Sequence, residues 1–440
     1  MPTSSPRAFN VLAEPIPRFL YDLFEVAVER AQPRFCIPSA LPAHPEGRTV
    51  VVGAGKAAAS MARALEHNWS TDMEGVVVTR HGHGLPCRHV EVHEGGHPVP
   101  DAEGVIATRS MLAKLDGLRE GDLVICLISG GGSALLTAPP PGVTLSELQE
   151  LSRALLRSGA GISEINCVRK HCSLVAGGRL VDHVRPARLV TLAISDVPGD
   201  DPSSIASGPT VPDPTTRLDA LAVLERHSIV PPVGIAAWLA CEAAETPKPG
   251  TDDYGSFELI ASAAGSIEAA ADRVRRTGLE PIVLGDDLEG EARSLARQHA
   301  ALIRSLRRER SPARPRILIS GGETSVKVKG GGTGGRNGEY ALALALAMAD
   351  ETGVFALAAD TDGIDGTGRA AGACIWPQML DDAAIRSKAV AALSSCDSHG
   401  FFSSVGGLVE TGPTHTNVND FRAVLIDEAP QLRNIANGAC

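Results

Sequence analysis

Short apolar segments recur along the chain, and each ends in a glycine- or serine-rich turn that leads into a stretch with helical spacing. In the first half these segments are residues 49–52, 123–128 and 189–194. Strands that are apolar throughout are typical of a parallel sheet that helices cover on both faces. The pattern predicts an α/β protein with a Rossmann-like, mostly parallel sheet in its N-terminal part. A helix start is also predicted, because Thr144 with Glu147 three residues later matches a capping box.

The length of the chain indicates more than one domain. Its 440 residues exceed the usual size of a single core. The alternation of strands and helices breaks at Pro231 and Pro232, and again in a segment rich in proline, glycine and aspartate at 246–255. We predict a three-layer α/β/α N-terminal domain at 1–245, a linker at about 246–255, and a smaller α/β C-terminal domain at 256–440.

A glycine-rich loop at 330–335 opens into an Ala- and Leu-rich helical stretch that begins near Arg336. Glycine at this density costs backbone entropy, but it lets a backbone approach a ligand closely. A helix N-terminus favours anions, and an arginine in the first turn opposes the helix dipole. The loop therefore predicts an anion or phosphate site that includes Gly334, Gly335 and Asn337. The alternative is a flexible hairpin before a core helix.

The segment VVVGAGKAAA at 50–59 places a lysine at a glycine turn between a strand and a helix. Gly53 and Gly55 fit the spacing of a dinucleotide fingerprint, but the acidic residue expected at the end of the next strand is absent. The spacing does not fit a P-loop either. What remains is a turn that directs Lys56 from a helix N-terminus toward a ligand, or else a lysine in solvent.

A serine-glycine turn follows the apolar segment 123–128, and ISGGET at 319–324 repeats this arrangement in the second half of the chain. Ligands of α/β sheets bind at such carboxyl ends of strands. Backbone N–H groups and hydroxyls there suit phosphate or carboxylate oxygens, although a tight turn capped by serine is the alternative. The residues of the first turn are Ser129, Gly130, Gly131, Gly132 and Ser133.

Two groups of aspartates follow strand segments, one headed by Asp196 and one in DTDGIDG at 360–366. Neither has the spacing of an EF-hand, whereas magnesium bound with phosphate needs only one or two carboxylates. Aspartates that cap loops are the alternative. Among the histidines of 81–97 no third metal ligand accompanies the His81–His83 pair, so we expect His97 to border the site rather than to bind a metal.

The overall composition excludes some partners. The net charge of −11 argues against nucleic acid. No apolar run is long enough for a membrane span, and the first residues lack the apolar core of a signal peptide. The nine cysteines are odd in number and lack CxxC spacing, which indicates thiols in a reducing cytoplasm. We expect a small-molecule substrate, and a homodimer is compatible with these features.

Together these motifs resemble those of the MOFRL-type glycerate 2-kinases, whose members have often been labelled hydroxypyruvate reductases. They cover nearly the whole chain and occur in the family's order. The matching segments are GAGKAA at 53–58, EGGHPVPD at 94–101, LISGGGSAL at 127–135, SDVPGDDPSSIASGPT at 195–210, ISGGETSVKVKGGGTGGRNGE at 319–339, TDGIDG at 361–366 and TGPTHTNVND at 411–420.

The resemblance implies a kinase that moves the γ-phosphoryl group of ATP to the 2-hydroxyl of (R)-glycerate, with magnesium, giving 2-phosphoglycerate. It also implies two α/β domains with the active site in the cleft between them, and it makes Lys56 and Arg336 the expected key residues. One position departs from the family, because Arg369 stands where an acidic residue is expected.

Phosphoryl transfer depends on positioning and on charge neutralisation, which sets the expected roles. Lys56 and Arg336 would neutralise the phosphoryl group or hold the carboxylate of glycerate. Asp196 is the first choice, and Asp362 the second, for a magnesium ligand or for the base that orients the hydroxyl. Glu323 would contact metal or ribose.

Two other functions remain open from the sequence. One is an NAD(P)-dependent hydroxypyruvate reductase, which the glycines of 53–58 favour and the missing acidic residue opposes. The other is a non-catalytic anion-binding protein, which would not need two glycine turns and two acidic groups.

Overall fold

The structure is a computed structural model that describes residues 14–250, 253–309, 314–328 and 330–426. Its strands are β1 (Thr49–Ala54), β2 (Glu74–Arg80), β3 (Val90–Gly95), β4 (Leu123–Ser129), β5 (Arg188–Ile194), β6 (Ser256–Ala261), β7 (Glu280–Val283), β8 (Gly290–Glu291), β9 (Arg316–Ser320), β10 (Thr324–Ser325), β11 (Phe355–Asp360), β12 (Gly372–Ile375), β13 (Leu408–Val409) and β14 (Asp420–Leu425).

The helices alternate with these strands. They are α1 (Pro15–Arg30), α2 (Pro33–Cys36), α3 (Ala58–Asn68), α4 (Ala102–Lys114), α5 (Gly132–Leu135), α6 (Leu145–Arg157), α7 (Ile162–His171), α8 (Leu180–Val184), α9 (Arg217–Arg226), α10 (Val233–Ala240), α11 (Ala263–Arg276), α12 (Ala292–Arg308), α13 (Arg336–Ala347), α14 (Ala383–Ser395) and α15 (Ser398–Val405).

The chain forms two compact units. We call residues 31–262 with 415–417 the parallel-sheet unit, and the described residues of 1–30, 263–414 and 418–440 the mixed-sheet unit. These bounds correct the predicted linker at 246–255. The segment after it, β6, pairs in parallel with β5 and completes the first sheet, so the chain leaves that unit only after Ser262.

The sheet of the parallel-sheet unit has the strand order β3-β2-β1-β4-β5-β6, and every neighbouring pair is parallel. This confirms the predicted Rossmann-like sheet. All residues of β1 and β4 are buried, which explains why these strands read as continuous apolar runs. Because parallel strands share one carboxyl edge, the turns after β1, β4 and β5 lie side by side.

The capping box predicted at Thr144 is present at the start of α6. The Thr144 hydroxyl accepts a hydrogen bond from the Glu147 backbone N–H at 3.2 Å, and the Glu147 carboxylate accepts one from the Thr144 N–H at 2.8 Å. Here the local sequence alone determines where the helix begins.

The mixed-sheet unit has a second α/β layer with the strand order β13-β12-β11-β14-β9-β7. Strands β7 and β9 are parallel, while β14 pairs in antiparallel fashion with both β9 and β11. The N-terminal helix α1 belongs to this unit, not to the N-terminal domain that contained it in the sequence prediction. Its buried Leu20, Leu23 and Phe24 pack into the same core as Phe421 of β14.

Two of the sequence predictions, on membrane spans and on disulfides, can be compared with the described residues. No helix within them is long and apolar enough to cross a membrane. The eight cysteines among them form no disulfide, and Cys440 lies outside the described part of the chain.

Candidate active site

In the parallel-sheet unit, the turn between β1 and α3 places Lys56 at the carboxyl edge of the sheet. Gly55 has a φ of +139°, a conformation that favours glycine, and a Cβ there would overlap the Ser129 side chain. The Lys56 backbone N–H donates to the Gly130 carbonyl at 2.8 Å, so the turns after β1 and β4 are joined directly. Lys56 is therefore held by a backbone bond and not left on a flexible surface turn.

Two of the predicted binding residues, Gly53 and Ser129, take part in this packing. Gly53 lies inside β1, where a Cβ would overlap the Leu127 carbonyl. Ser129 is fully buried, and its hydroxyl accepts a hydrogen bond from the Ala57 N–H at 3.0 Å. The sequence could not separate these roles, because a hydroxyl after a strand suits a ligand and a neighbouring turn equally well.

The imidazole of His97 and the stem of Lys56 meet over Gly131. A Cβ on Gly131 would lie 3.1 Å from His97 Nε2 and 3.4 Å from Lys56 Cγ. The structure thus brings together three residues that the sequence predicted separately for the site. In the same turn Gly132 lies against Ala206, and the Ser133 hydroxyl accepts a hydrogen bond from Ser207 at 2.8 Å.

Asp196 follows β5 and lies against the same serine-glycine turn. A Cβ on Gly130 would overlap its carboxylate, so glycine is required for this close approach. Asn417 donates a hydrogen bond of 2.8 Å from Nδ2 to Asp196 Oδ2. Asn417 belongs to the short segment 415–417 that joins the parallel-sheet unit, where the Ser60 hydroxyl donates to the His415 carbonyl at 2.5 Å.

Asp201, which follows Asp196 in the same acidic group, caps its own loop. Its carboxylate accepts hydrogen bonds from the Ser203 hydroxyl and the Ser204 hydroxyl, both at 2.7 Å. Burial opposes the charge, but these bonds hold the pKa of Asp201 below its ordinary value. The loop-capping alternative therefore describes Asp201.

In the mixed-sheet unit, Arg336 at the start of α13 is surrounded by carboxylates of its own chain. Its guanidinium contacts Asp420 Oδ1 at 2.7 Å, Asp360 Oδ2 at 2.8 Å and Glu323 Oε1 at 2.5 Å. Burial opposes the charged form, but these carboxylates raise the pKa of Arg336 well above its ordinary value. The position of an arginine at a helix start thus has an explanation within the protein, and the inference that it needs an external anion does not follow.

The N-terminus of α13 is also occupied by the chain itself. Asp365 accepts hydrogen bonds from the backbone N–H groups of Asn337 at 3.0 Å and Gly338 at 2.8 Å. Burial raises the pKa of Asp365 to about 6, against the effect of these two bonds. A carboxylate 27 to 28 residues away thus already uses these two amides, so the helix start does not by itself require a phosphate.

The glycines before α13 lie very close to other residues of the same unit. A Cβ on Gly335 would overlap Asp365, and a Cβ on Gly334 would overlap the Ser398 hydroxyl. The Asn337 side chain is buried and donates to Asp420 Oδ1 at 2.7 Å. Close packing within the mixed-sheet unit therefore accounts for Gly334, Gly335 and Asn337, and any ligand contact of theirs stays a prediction.

The other acidic candidates of this unit differ in exposure. Asp362 is buried and accepts a hydrogen bond from the Ile364 N–H at 2.9 Å, a turn of the loop-capping kind. Glu323 is exposed, and so is Arg369, the departure from the family pattern. Asp360 is buried and accepts from the Asp362 N–H at 3.0 Å.

Within the described residues, no three or more His, Cys, Asp or Glu side chains are grouped so that they could hold a metal ion. A magnesium ion that is bound together with phosphate needs only one or two protein carboxylates. Asp196 fits that requirement, since its carboxylate is only partly buried at the sheet edge. Asp362 fits less well, because it is buried and one of its oxygens is held by its own loop.

Comparisons with known proteins cover nearly the whole chain. Residues 19–240 match a domain of unknown function (DUF4147), and residues 316–420 match the MOFRL family. A protein of Agrobacterium vitis that carries the name hydroxypyruvate reductase is 48% identical over 411 residues, which cover 92% of this chain and 93% of that protein. The D-glycerate 2-kinase of Thermotoga maritima is 38% identical over 417 residues, which cover 94% of this chain and 99% of that protein.

The fold agrees with a solved structure. The crystal structure of a glycerate kinase from Thermotoga maritima matches with a TM-score of 0.83 and 37% identity, covering 93% of this chain and 99% of that chain. The predicted α/β fold is thereby confirmed. On these matches, and on the motifs around Lys56, Asp196 and Arg336, the chain is a kinase and belongs to the MOFRL-type glycerate 2-kinase family.

Proposed function

We propose that this protein transfers the γ-phosphoryl group of ATP to the 2-hydroxyl of (R)-glycerate and releases 2-phosphoglycerate and ADP. The observation that carries the proposal is the group of Lys56, His97 and Asp196 around the Gly130–Gly131 turn. A cation, an imidazole and a carboxylate are placed there beside backbone that can approach a phosphate closely. Phosphoryl transfer needs this kind of fixed charge rather than a covalent intermediate.

In the proposed reaction, the 2-hydroxyl oxygen forms a bond to the γ-phosphorus as the bond from that phosphorus to the bridging oxygen of ADP breaks. The Asp196 carboxylate orients the hydroxyl and takes its proton. Asn417 donates a hydrogen bond to Oδ2 of that carboxylate, which helps to fix its orientation toward the hydroxyl. The ammonium of Lys56 neutralises charge on the phosphoryl oxygens.

Magnesium would be held by Asp196 together with the phosphates, and it would offset charge that develops on the leaving ADP. The protein's own contribution is to keep that carboxylate at the sheet edge. Close packing of Gly130 against Asp196 provides this, since any side chain at 130 would displace the carboxylate.

We also propose that Arg336 acts on the phosphoryl group. Three carboxylates already balance its charge, so a phosphoryl oxygen would compete with one of these ion pairs. The pair with Glu323 is the one we expect to be exchanged, because the Glu323 side chain is 53% exposed whereas those of Asp360 and Asp420 are 7% and 0% exposed. Exposed ion pairs contribute little free energy and are easily replaced.

A second candidate is a hydroxypyruvate reductase, the name of the Agrobacterium vitis relative. A nicotinamide dinucleotide bound at this fold needs an acidic residue at the end of the second strand for its ribose. Strand β2 ends in Thr79 and Arg80, and the Thr79 hydroxyl donates to the Lys56 carbonyl at 3.2 Å. The second strand therefore offers a hydroxyl and a cation where the reductase needs a carboxylate.

The test is a coupled assay of ADP release with D-glycerate, ATP and magnesium, followed by identification of the phosphorylated product. We expect 2-phosphoglycerate. Formation of 3-phosphoglycerate, or consumption of NAD(P)H with hydroxypyruvate and no release of ADP, would overturn the proposal. Lys56→Ala and Arg336→Ala should each lower kcat/KM by about 100-fold or more, while Lys388→Ala, at an exposed position of α14, should not. If both variants keep wild-type kcat/KM, the assignment of these residues fails.

A further inference from the structure

A small cavity in the parallel-sheet unit contains a cation that the proposed reaction does not use. Its volume is about 40 Å³, and it lies beside the serine-glycine turn. Leucine and alanine side chains form much of its wall. Its polar wall consists of Ser133, Thr137, Ser152, Ser173 and Arg169.

Arg169 of α7 has no acidic partner in the described part of the chain. The hydrogen bond that its guanidinium makes is a long one of 3.4 Å from Nη2 to the Pro98 carbonyl. Burial lowers the pKa of Arg169 to about 10, and no carboxylate counters this effect. Arg169 is half-buried, and a guanidinium that is partly withdrawn from water without an anion loses some of the solvation free energy that an ion pair would return.

Two neighbouring cations of this unit, buried Lys170 and half-buried Arg179, differ from Arg169 in their partners. Lys170, the next residue of α7, is buried and pairs with Asp213 at 3.1 Å. Arg179 instead donates to backbone carbonyls, those of Ala243 and Glu245 at 3.0 Å among them. Arg169 therefore keeps donors for an anion that no residue in the described ranges supplies.

The cavity adjoins the candidate active site on two sides. Ser133 belongs to the same turn as Gly131, which lies against His97 and Lys56. Pro98, the partner of Arg169, directly follows His97, and Pro100 lines the cavity. An anion next to Arg169 would thus lie within the same unit and beside the same two turns as the proposed reacting groups.

We propose that Arg169 binds the carboxylate of the hydroxy-acid substrate, with the hydroxyls of Ser133, Ser152 and Ser173 as further donors. The inference rests on the proposed function and specifies which residue selects an acid. The planar guanidinium matches a carboxylate in two parallel hydrogen bonds. A volume of about 40 Å³ accommodates a group of roughly three heavy atoms, at 10–15 Å³ for one water-sized group. A carboxylate fits this space, and a di- or triphosphate does not.

The experiment compares calorimetric binding and steady-state kinetics of the full chain and three variants. Arg169→Gln removes the charge but keeps an amide that can donate to the Pro98 carbonyl. Arg169→Lys keeps the charge but not the paired donors. Arg153→Gln changes an exposed arginine of α6 and serves as the matched control. The probes are D-glycerate, its carboxamide D-glyceramide, and ATP.

We expect Arg169→Gln to weaken binding of D-glycerate and to raise its KM by about 10- to 100-fold, with Arg169→Lys between that variant and the wild type. The KM for ATP should stay unchanged, and the preference for D-glycerate over D-glyceramide should disappear. Arg153→Gln should match the wild type in every measurement. Equal affinity of wild type and Arg169→Gln for D-glycerate would overturn the inference, and so would parallel loss of D-glycerate and ATP binding.

The two proposals fail in different ways. If the wild type releases no ADP with D-glycerate, the proposed function is wrong, whatever Arg169 does. If the wild type is active and Arg169→Gln keeps the KM and the preference of the wild type, only the role of Arg169 is wrong. Calorimetry needs no turnover, so it decides the carboxylate site in either case.

Discussion

Asn417 donates a hydrogen bond of 2.8 Å to the carboxylate of Asp196, although 221 positions separate the two residues in the chain. The bond fixes one oxygen of the carboxylate that we propose as base or magnesium ligand. Asn417→Ala should therefore lower kcat/KM by about 10-fold, because Asp196 can then rotate. Asn417→Asp should lower it further and move the acidic limb of the pH profile to higher pH, since a like charge raises the pKa of a carboxylate.

The control for this pair is Asn68→Ala, because the Asn68 side chain donates to the Ala64 carbonyl of its own helix, α3. The pH profile shows whether Asn417 acts on the Asp196 carboxylate or only supports the loop. A loss of activity with an unchanged acidic limb in Asn417→Asp would mean that Asn417 only supports the loop.

Gly131 lies where His97 and Lys56 meet. An alanine there adds both backbone strain and contact with these side chains, and comparison with a glycine in open space separates the two effects. Gly131→Ala places a Cβ at a φ of +81° and 3.0 Å from His97 Cδ2. Gly117→Ala imposes a similar φ of +74° with no atom within 4 Å. We expect both variants to lose about 1–2 kcal/mol of unfolding free energy, and only Gly131→Ala to lose activity as well. Equal kcat/KM values for both would show that crowding of His97 is irrelevant to catalysis.

Arg336 holds two buried carboxylates, so its loss should destabilise the protein apart from any catalytic effect. Arg336→Met leaves Asp360 and Asp420 without this counter-charge and should cost about 3–5 kcal/mol in denaturant unfolding. Adding Asp360→Asn should recover part of that loss. If Arg336→Met abolishes activity at unchanged stability, the arginine acts mainly on substrate and the carboxylates are incidental.

Asp365 makes the stability of the protein depend on pH. Burial raises its pKa to about 6 in the folded state, above its ordinary value of 3.8. The folded state then binds a proton more tightly, and the stability that this adds is present below about pH 4 and is lost as the pH rises through about 6. The Asp365→Asn variant has no carboxyl group at this position, so it cannot bind this proton.

Denaturant unfolding of the wild type and of Asp365→Asn at several pH values measures how their unfolding free energies differ. The advantage of wild type over Asp365→Asn should shrink between pH 4 and 7, by about 1.4 kcal/mol for each unit of the pKa shift. Asp382→Asn, which removes an exposed carboxylate cap from α14, controls for the loss of a helix cap. A difference that stays constant with pH would rule out titration of Asp365 in this range.

Lys170 and Asp213 form a buried ion pair within the parallel-sheet unit, with side-chain exposures of 4% and 0%. Burial opposes the charge of Asp213, but Lys170 and the hydrogen bonds of Thr215 hold its pKa below the ordinary value. Lys170→Met should lower the unfolding free energy by about 3–5 kcal/mol, because it leaves a buried carboxylate without its cation. Lys114→Met, which removes two partly exposed ion pairs, with Glu74 and Glu91, should cost less than about 1 kcal/mol. Similar losses of unfolding free energy in both variants would mean that burial does not increase the contribution of the Lys170–Asp213 pair.

Features set by neighbouring residues follow from the sequence alone. The capping box of Thr144 and Glu147 determines the start of α6, and the apolar runs determine β1, β4 and β5. Parallel pairing then places Lys56 and Asp196 at one edge, because parallel strands share their carboxyl side. The identities of these candidates needed no tertiary information.

Tertiary structure decided which partner each side chain has. The sequence predicted a phosphate at Arg336 and the amides of α13, whereas in the structure these groups contact Asp360, Asp365 and Asp420, which lie 24 to 84 positions away. The unit boundaries likewise depend on pairing, since β6 joins the first sheet after a proline-rich break. Local pattern cannot report these contacts, because the packing of distant strands and turns sets the distance between two side chains.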